Sequence, residues 1–110
     1  MCIRDRIQGP LFTSQLRRIV ELAAARGLPA MYPDSRYVEA GGLMSYGPNI
    51  RELYRRSASY IDRILKGAAP AAIPVEQPSV FELALNLKTA RTLGVAIARE
   101  VRTRADIVLE

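Results

Sequence analysis

The chain has 110 residues, a length that suits one compact domain, and 49% of its residues are hydrophobic while 25% are charged. It contains no histidine and a single cysteine, Cys2, which excludes an internal disulfide, the usual zinc sites, and Ser–His or Cys–His nucleophilic pairs. The balance of 16 Lys and Arg against 11 Asp and Glu is basic. Because most arginines alternate with acids along helical faces, this charge is typical of a solvated surface.

The first six residues do not fit the rest of the chain. Residues 1–6 lack the apolar stretch of an export signal and show no periodic link to the residues after them. This hexapeptide resembles a translated sequencing-adapter remnant, so we interpret residues 1–6 as a non-native leader and residues 7–110 as the native part. No apolar run approaches the roughly 20 residues needed to cross a bilayer.

The first native segment, residues 7–13, is predicted to be a strand end running into a loop, because a Gly-Pro pair interrupts it. Thr13 or Ser14 would then cap a helix with an apolar face of helical period. That helix is predicted to end at Gly27.

Short strands and turns come after this helix. Residues 28–32 and 43–46 are predicted strands, separated by a turn or short helix over residues 33–40. Gly47 and Pro48 mark the next junction.

The clearest predicted element is an amphipathic helix over residues 50–66. A proline-rich extended connector is predicted at residues 68–78, then a strand over residues 79–87. The alternation in that strand predicts one shared face for Phe81, Leu83, Leu85 and Leu87. A short helix at 88–93 and a final apolar stretch at 107–109 complete an alternating order, which predicts the α/β class.

Aromatic and small polar residues stand where the predicted strands run into helices: Phe12, Tyr32, Ser45, Tyr46 and Gly47. In open α/β sheets, small molecules bind beyond the carboxyl ends of the strands. A small-molecule cleft is therefore one interpretation, with the Tyr46 ring or hydroxyl contacting the ligand. The other is ordinary loop packing, with glycine present because the turn requires it.

No constellation in the sequence indicates catalysis, so we expect a protein that is not an enzyme and uses no cofactor or metal. The acids form no two-carboxylate pattern, and the glycines match no phosphate-binding spacing. Arg91, Arg99, Arg102 and Arg104 concentrate positive charge near the C-terminus, but no aromatic residue follows Phe81. We therefore expect no nucleic acid partner.

Several segments, taken in order, resemble a family of ABC transporter substrate-binding proteins that includes tryptophan- and tyrosine-type binders. The segment Glu39–Asn49 carries the clearest similarity. Further matching segments are residues 12–20, 28–30, 53–67, 73–78 and 81–90. The resemblance covers nearly all of residues 7–110.

The resemblance implies part of a type I periplasmic-binding-protein fold, the C-terminal portion of a two-lobed, three-layer α/β/α protein. The helix over residues 50–66 would then pack on a first lobe missing from this chain. The protein would be periplasmic or otherwise extracytoplasmic, with its export signal in that missing part. It would bind a small solute, an amino acid being the leading expectation, and deliver it to an ABC transporter permease. Phe12, Tyr32, Ser45, Tyr46 and Gly47 would face the solute, and only the permease or a lipid anchor would link the protein to the membrane.

Two other functions stay open from the sequence. A stand-alone intracellular α/β regulatory or interaction domain predicts a genuine start at Met1 and a stable, monodisperse chain. A basic nucleic-acid-binding module predicts binding that weakens steeply with salt.

Overall fold

The structure, a computed structural model, describes residues 9–110. The predicted leader, residues 1–6, and the first two residues of the predicted N-terminal strand end lie outside the described residues. The chain forms two compact units. The first comprises residues up to Gly47 together with residues 82–110, and the second comprises Pro48–Phe81.

The described elements alternate between helices and strands, as the α/β class predicts. In chain order they are α1 (Pro10–Ser14), α2 (Leu16–Ala25), β1 (Met31–Tyr32), α3 (Ser35–Glu39), β2 (Met44–Pro48), α4 (Ile50–Leu65), a 3₁₀ turn (Pro70–Ala72), β3 (Phe81–Asn86), α5 (Leu87–Thr92), α6 (Arg99–Arg104) and β4 (Ile107–Leu109). The strands form one sheet in the order β1-β2-β3-β4. Strands β1 and β2 pair in parallel, and so do β3 and β4. The predicted α/β class is confirmed.

The core of the first unit forms where α2 meets β1 and α3. Val20, Tyr32 and Tyr37 are its buried centre, and the two tyrosine rings stack with centroids 5.1 Å apart. Burying an aliphatic side chain such as Val20 contributes roughly 1.5–3 kcal/mol, so the helical period of α2 translates directly into stability. Gly27 follows α2 with a φ of 62°, the left-handed conformation that favours glycine after a helix.

The predicted loop before α2 is wrong. Residues 10–13 are helical, because Pro10 stands at the first position of α1, where its missing N–H is no loss. The predicted caps are wrong for the same reason: Thr13 and Ser14 lie inside α1, and the Ser14 hydroxyl donates to the Leu11 carbonyl at 2.8 Å. Gln15, whose side chain makes no capping hydrogen bond, precedes α2.

Strand β3 also departs from its prediction. Its last three residues, Ala84, Leu85 and Asn86, are all buried, so the strand is covered on both faces and does not alternate. Leu87 belongs to α5, because the Asn86 side chain accepts the Thr89 N–H at 3.0 Å and starts the helix there. Strand β2 begins at Met44 and runs on to Pro48, two residues further than predicted.

The second unit consists of α4 and the proline-rich connector. The Asn49 side chain caps α4 by accepting the Glu52 N–H at 3.0 Å. Arg56 reaches from α4 to the connector, where it pairs with Glu76 and donates to the Ser79 hydroxyl at 3.0 Å. No residue of α4 is buried. The helix prediction is confirmed, and the connector is extended apart from its 3₁₀ turn.

Candidate functional site

The parallel pairing of β1 and β2 brings most of the predicted site residues to the carboxyl ends of these two strands, which form one edge of the sheet. Tyr32 lies in register with Ser45, so both strands end on the same side. The side chains of β2 then alternate: Ser45 and Gly47 are buried, while Tyr46 is 53% exposed. The end of β2 therefore exposes one aromatic ring, while the residues before and after it in the strand are buried.

At Gly47 the backbone of Pro33, which follows β1, comes very close to β2. A Cβ atom at this position would stand 1.9 Å from the Pro33 carbonyl oxygen, far inside van der Waals contact with backbone. A residue with a side chain therefore cannot take this position unless the backbone shifts. This close approach is the reason for a glycine here. A left-handed backbone is not the reason, because the φ angle of Gly47 is not positive.

Ser45 has an unusual environment for a hydroxyl. The residue is 1% exposed, and within residues 9–110 the structure shows no hydrogen-bond partner for its Oγ. A buried hydroxyl without a partner costs free energy, so its presence calls for an explanation, and a role in binding is one such explanation. Since the Oγ is closed to solvent, direct contact with a ligand requires the strand end to open.

The remaining two predicted site residues lie differently. The Tyr32 ring is 3% exposed and packs on Tyr37, within the core. Phe12 is 40% exposed on α1, and its carbonyl oxygen accepts the Tyr37 hydroxyl at 3.3 Å. Tyr37 therefore links Phe12 to the end of β1. Direct ligand contact by either residue stays a prediction.

Asp34 and Arg36 also occupy this edge but were not among the predicted site residues. Asp34 is 8% exposed, caps α3 by accepting the Arg36 N–H at 3.1 Å, and forms a two-pronged ion pair with the Arg36 guanidinium at 3.0 Å. Charge-assisted bidentate pairs of this kind fix side-chain geometry well. The signal in the sequence is an acid after a strand, immediately before a short helix.

The second unit carries a surface concavity of about 420 Å³, lined by one face of α4 and by the connector. Its lining includes Tyr60, whose pKa is raised chiefly by desolvation and further by its hydrogen bond to Glu76. None of the five predicted site residues lines it. Sequence reasoning missed it because the connector's prolines indicate only an extended chain.

Two further properties of residues 9–110 bear on the chemistry that the chain can carry. No group of three or more His, Cys, Asp or Glu side chains in this range could hold a metal ion. Nor does any helix here combine the length and the hydrophobicity needed to cross a membrane.

Comparison with known proteins assigns the fold to a family. The sequence model described as "ABC transporter substrate binding protein" matches residues 8–109. The chain belongs to this family. No curated protein matches the sequence.

Solved structures agree with the family. A conserved domain protein from Vibrio cholerae O1 biovar El Tor aligns with 88% of this chain at 26% identity and a TM-score of 0.83. The ABC domain from Streptococcus pneumoniae in complex with L-Trp aligns with 89% of it at 30% identity and a TM-score of 0.81. A ligand-free, open substrate-binding protein with adhesive properties from Clostridium difficile aligns with 90% at 20% identity and a TM-score of 0.58, which supports the fold alone.

This chain spans only a third of these relatives, covering 33%, 34% and 33% of the three solved chains. The structure is thus a fragment-sized α/β domain of the periplasmic-binding-protein type, a four-stranded sheet flanked by helices. Members of the family are substrate-binding proteins of ABC transporters and typically extracytoplasmic, and they are generally not enzymes.

Proposed function

We propose that this chain contributes the edge of β1 and β2 to a solute-binding site of an ABC importer. The observation that carries the proposal is the exposed Tyr46 ring at the end of β2, held between the buried Ser45 and Gly47. An aromatic ring on a rigid strand end offers apolar area and a hydroxyl at little cost in conformational entropy. Family membership supports a solute as the ligand.

The solute class that we propose is an amino acid, with aromatic ones first. The Streptococcus pneumoniae domain, 30% identical over 89% of this chain, was solved with L-Trp. A flat aromatic side chain can stack on the Tyr46 ring, an arrangement worth about 0.5–1.5 kcal/mol beyond the area that it buries. Phe12, Tyr32, Ser45 and Gly47 belong to the same proposal, as direct contacts or as the frame that positions Tyr46.

The proposed partners are those that the family implies. A small solute binds, and an ABC transporter permease receives it outside the cytoplasm. Any membrane association would come from that permease or from a lipid anchor elsewhere in a longer protein. We propose no catalysis and no cofactor for this chain.

The apolar face of α4 supports a further part of this proposal. Tyr54, Ile61 and Leu65 are 76%, 58% and 82% exposed. We propose that a first lobe, encoded before residue 9 in a longer polypeptide, covers this face, because each Leu or Ile buried there would contribute roughly 1.5–3 kcal/mol. The solved relatives, three times as long, have chain enough to do so.

Leu65→Ser tests the covering of α4. We expect it to reduce aggregation of the 110-residue chain and to lower the melting temperature of the protein made from the complete reading frame. Leu22→Ser is the matched control, at a 54% exposed leucine of α2. It should not improve the 110-residue chain while destabilising the complete protein. Equal effects of Leu65→Ser in both contexts would contradict the proposal.

The solute proposal is tested by isothermal titration calorimetry on the protein made from the complete reading frame that contains residues 9–110. L-Trp, L-Tyr, L-Phe and L-Leu are compared as ligands. Tyr46→Ala should weaken the preferred amino acid by at least about tenfold, equivalent to about 1.4 kcal/mol. The Tyr46→Phe variant keeps the ring and removes the hydroxyl, so it distinguishes the contribution of the ring to binding from that of the hydroxyl.

Leu22→Ala serves as the control, since this leucine is 54% exposed on α2, outside the proposed solute site and outside the α4 face that the first lobe would cover. It should leave the dissociation constant within about twofold of the unmutated protein. If none of the four amino acids binds, the solute class is wrong. If Tyr46→Ala and Leu22→Ala behave alike, the site is wrong.

The DNA that encodes this chain can decide between this proposal and a stand-alone intracellular domain. Resequencing across the codons for Arg6 and Ile7 shows whether the frame continues upstream. Continuation into a further α/β lobe behind an export signal supports the importer. A frame that starts at Met1 favours the stand-alone domain.

A further inference from the structure

The arginines near the C-terminus form a local feature that the solute site does not use. Arg99 and Arg102 lie one turn apart on α6, on neighbouring positions of one helix face. Together with Ile97, Thr103 and Val108 they line a surface concavity of about 450 Å³, the α6 concavity. Its walls thus combine two guanidinium groups with two aliphatic side chains.

The two arginines of this surface form no ion pair within the described residues. Residues 88–110 contain five cations, Lys88, Arg91, Arg99, Arg102 and Arg104, all exposed, and three acids, Glu100, Asp106 and Glu110. A surface with this excess has a positive potential that attracts anions.

Two carboxylates close in sequence, Glu100 and Asp106, are not among the residues that line the α6 concavity. Glu100 directly follows Arg99 and is therefore rotated by roughly 100° around the helix axis. The Asp106 carboxylate accepts the Leu83 N–H at 2.8 Å, while the Asp106 N–H donates to the Leu83 carbonyl at 2.9 Å. Asp106 is thus committed to joining β3 to the start of β4.

The chemistry of the lining indicates the kind of anion. A guanidinium presents a planar fork of N–H donors that fits the oxygens of a phosphate or carboxylate. The Thr103 hydroxyl donates to the Arg99 carbonyl at 3.0 Å and steadies the turn that carries both arginines. Ile97 and the 39% exposed Val108 add apolar walls, which suit an anion attached to an apolar body.

We propose that the α6 concavity binds a phosphate-type oxyanion through Arg99 and Arg102. Inorganic phosphate and an anionic phospholipid headgroup share this chemistry. The site is independent of the solute proposed above, since it uses neither β1 nor β2.

The test has two arms, both on the 110-residue chain. One titrates inorganic phosphate by NMR, and the other measures sedimentation with vesicles of phosphatidylglycerol and phosphatidylcholine against vesicles of phosphatidylcholine alone. The double variant Arg99→Gln/Arg102→Gln should weaken binding at least about tenfold in the arm that shows it. Binding to anionic vesicles without binding to free phosphate identifies the lipid as the source, and the reverse identifies the free anion.

Arg17→Gln/Arg18→Gln is the matched control. It removes the same charge from two exposed arginines of α2 that share their concavity with Glu21. Arg99→Lys/Arg102→Lys keeps the charge but removes the fork, and binding should fall between that of the unmutated chain and the glutamine variant. Circular dichroism of each variant verifies that the fold is retained.

Three results would overturn the proposal. The first is the absence of binding in both arms. The second is equal weakening by the α2 and α6 double variants, which would show a general charge effect screened over about 10 Å at 0.1 M salt. The third is tighter binding of a single-stranded oligonucleotide than of either probe, which would assign the surface to nucleic acid.

Discussion

Replacing Ser45 with alanine should stabilise the protein. The side chain is 1% exposed, and its Oγ has no hydrogen-bond partner among residues 9–110. Leaving a buried polar group unsatisfied costs about 1–3 kcal/mol, which the Ser45→Ala variant would recover. The small cavity left by the removed oxygen atom reduces this gain in stability by up to about 1 kcal/mol.

The expected net gain is about 1 kcal/mol, or about 4 °C in melting temperature for a domain of this size. Differential scanning calorimetry of the 110-residue chain measures it directly, and urea unfolding gives the free energy independently. Ser57→Ala is the matched control, because that hydroxyl is exposed and donates to the Leu53 carbonyl at 3.0 Å. Its effect should stay within about 0.5 kcal/mol.

A loss of stability in Ser45→Ala would refute this reasoning, because it would mean that the hydroxyl does have a partner in solution. The same variant also bears on the solute proposal. If Ser45 contacts the solute after the strand end opens, Ser45→Ala should be more stable and should bind the amino acid more weakly. Such a trade between stability and function is common at binding sites.

Three further predictions concern the same fold. Gly47→Ala should cost about 3 kcal/mol through the clash of the new methyl group with the Pro33 oxygen, which lowers the melting temperature by about 12 °C in calorimetry. Gly9→Ala is the control, because its new Cβ would lie 3.7 Å from the nearest atom, on the Phe12 ring. It should cost less than about 1 kcal/mol in the same measurement. Asp34→Ala should cost about 0.5–2 kcal/mol in urea unfolding through loss of the α3 cap, and Asp34→Asn, which caps as well, should retain most of that stability. The Arg55 hydrogen bond lowers the pKa of the Glu52 carboxyl from its ordinary value, so the stability that this pair contributes at neutral pH is lost as the pH falls through the lowered pKa. Urea midpoints of Glu52→Gln and the unmutated chain should therefore differ slightly at neutral pH and converge in acid.

The sequence predicts the long elements well because each carries its signal locally. Helix α4 combines a helical period with an Asn49 cap and a glycine after its end, and α2 ends before Gly27 as expected. The junction residues around β2 predict that strand, although they place its end two residues early. Boundaries fail where the local signal has two meanings, as with Gly9-Pro10, which fits either a loop or a helix start.

The candidate site could be located from the sequence only as a set of strand ends. That Tyr46 is exposed while Ser45 is buried depends on which face of β2 is covered, and the neighbouring strands decide that. Tyr32 is equivalent to Tyr46 in the sequence pattern, yet its ring stacks on Tyr37 in the core. The Asp34–Arg36 pair was missed because ion pairing depends on side-chain geometry that spacing alone does not fix.

The sequence by itself determined the α/β class, the order of the long elements and the family, because hydrophobic period, caps and turn residues act over a few neighbouring positions. Only the tertiary structure decided which side chains share the edge of the sheet. Parallel pairing sets Tyr32 opposite Ser45 and Pro33 against Gly47, contacts between residues that lie more than ten positions apart. Such contacts depend on how the whole sheet assembles, and no local pattern carries that information.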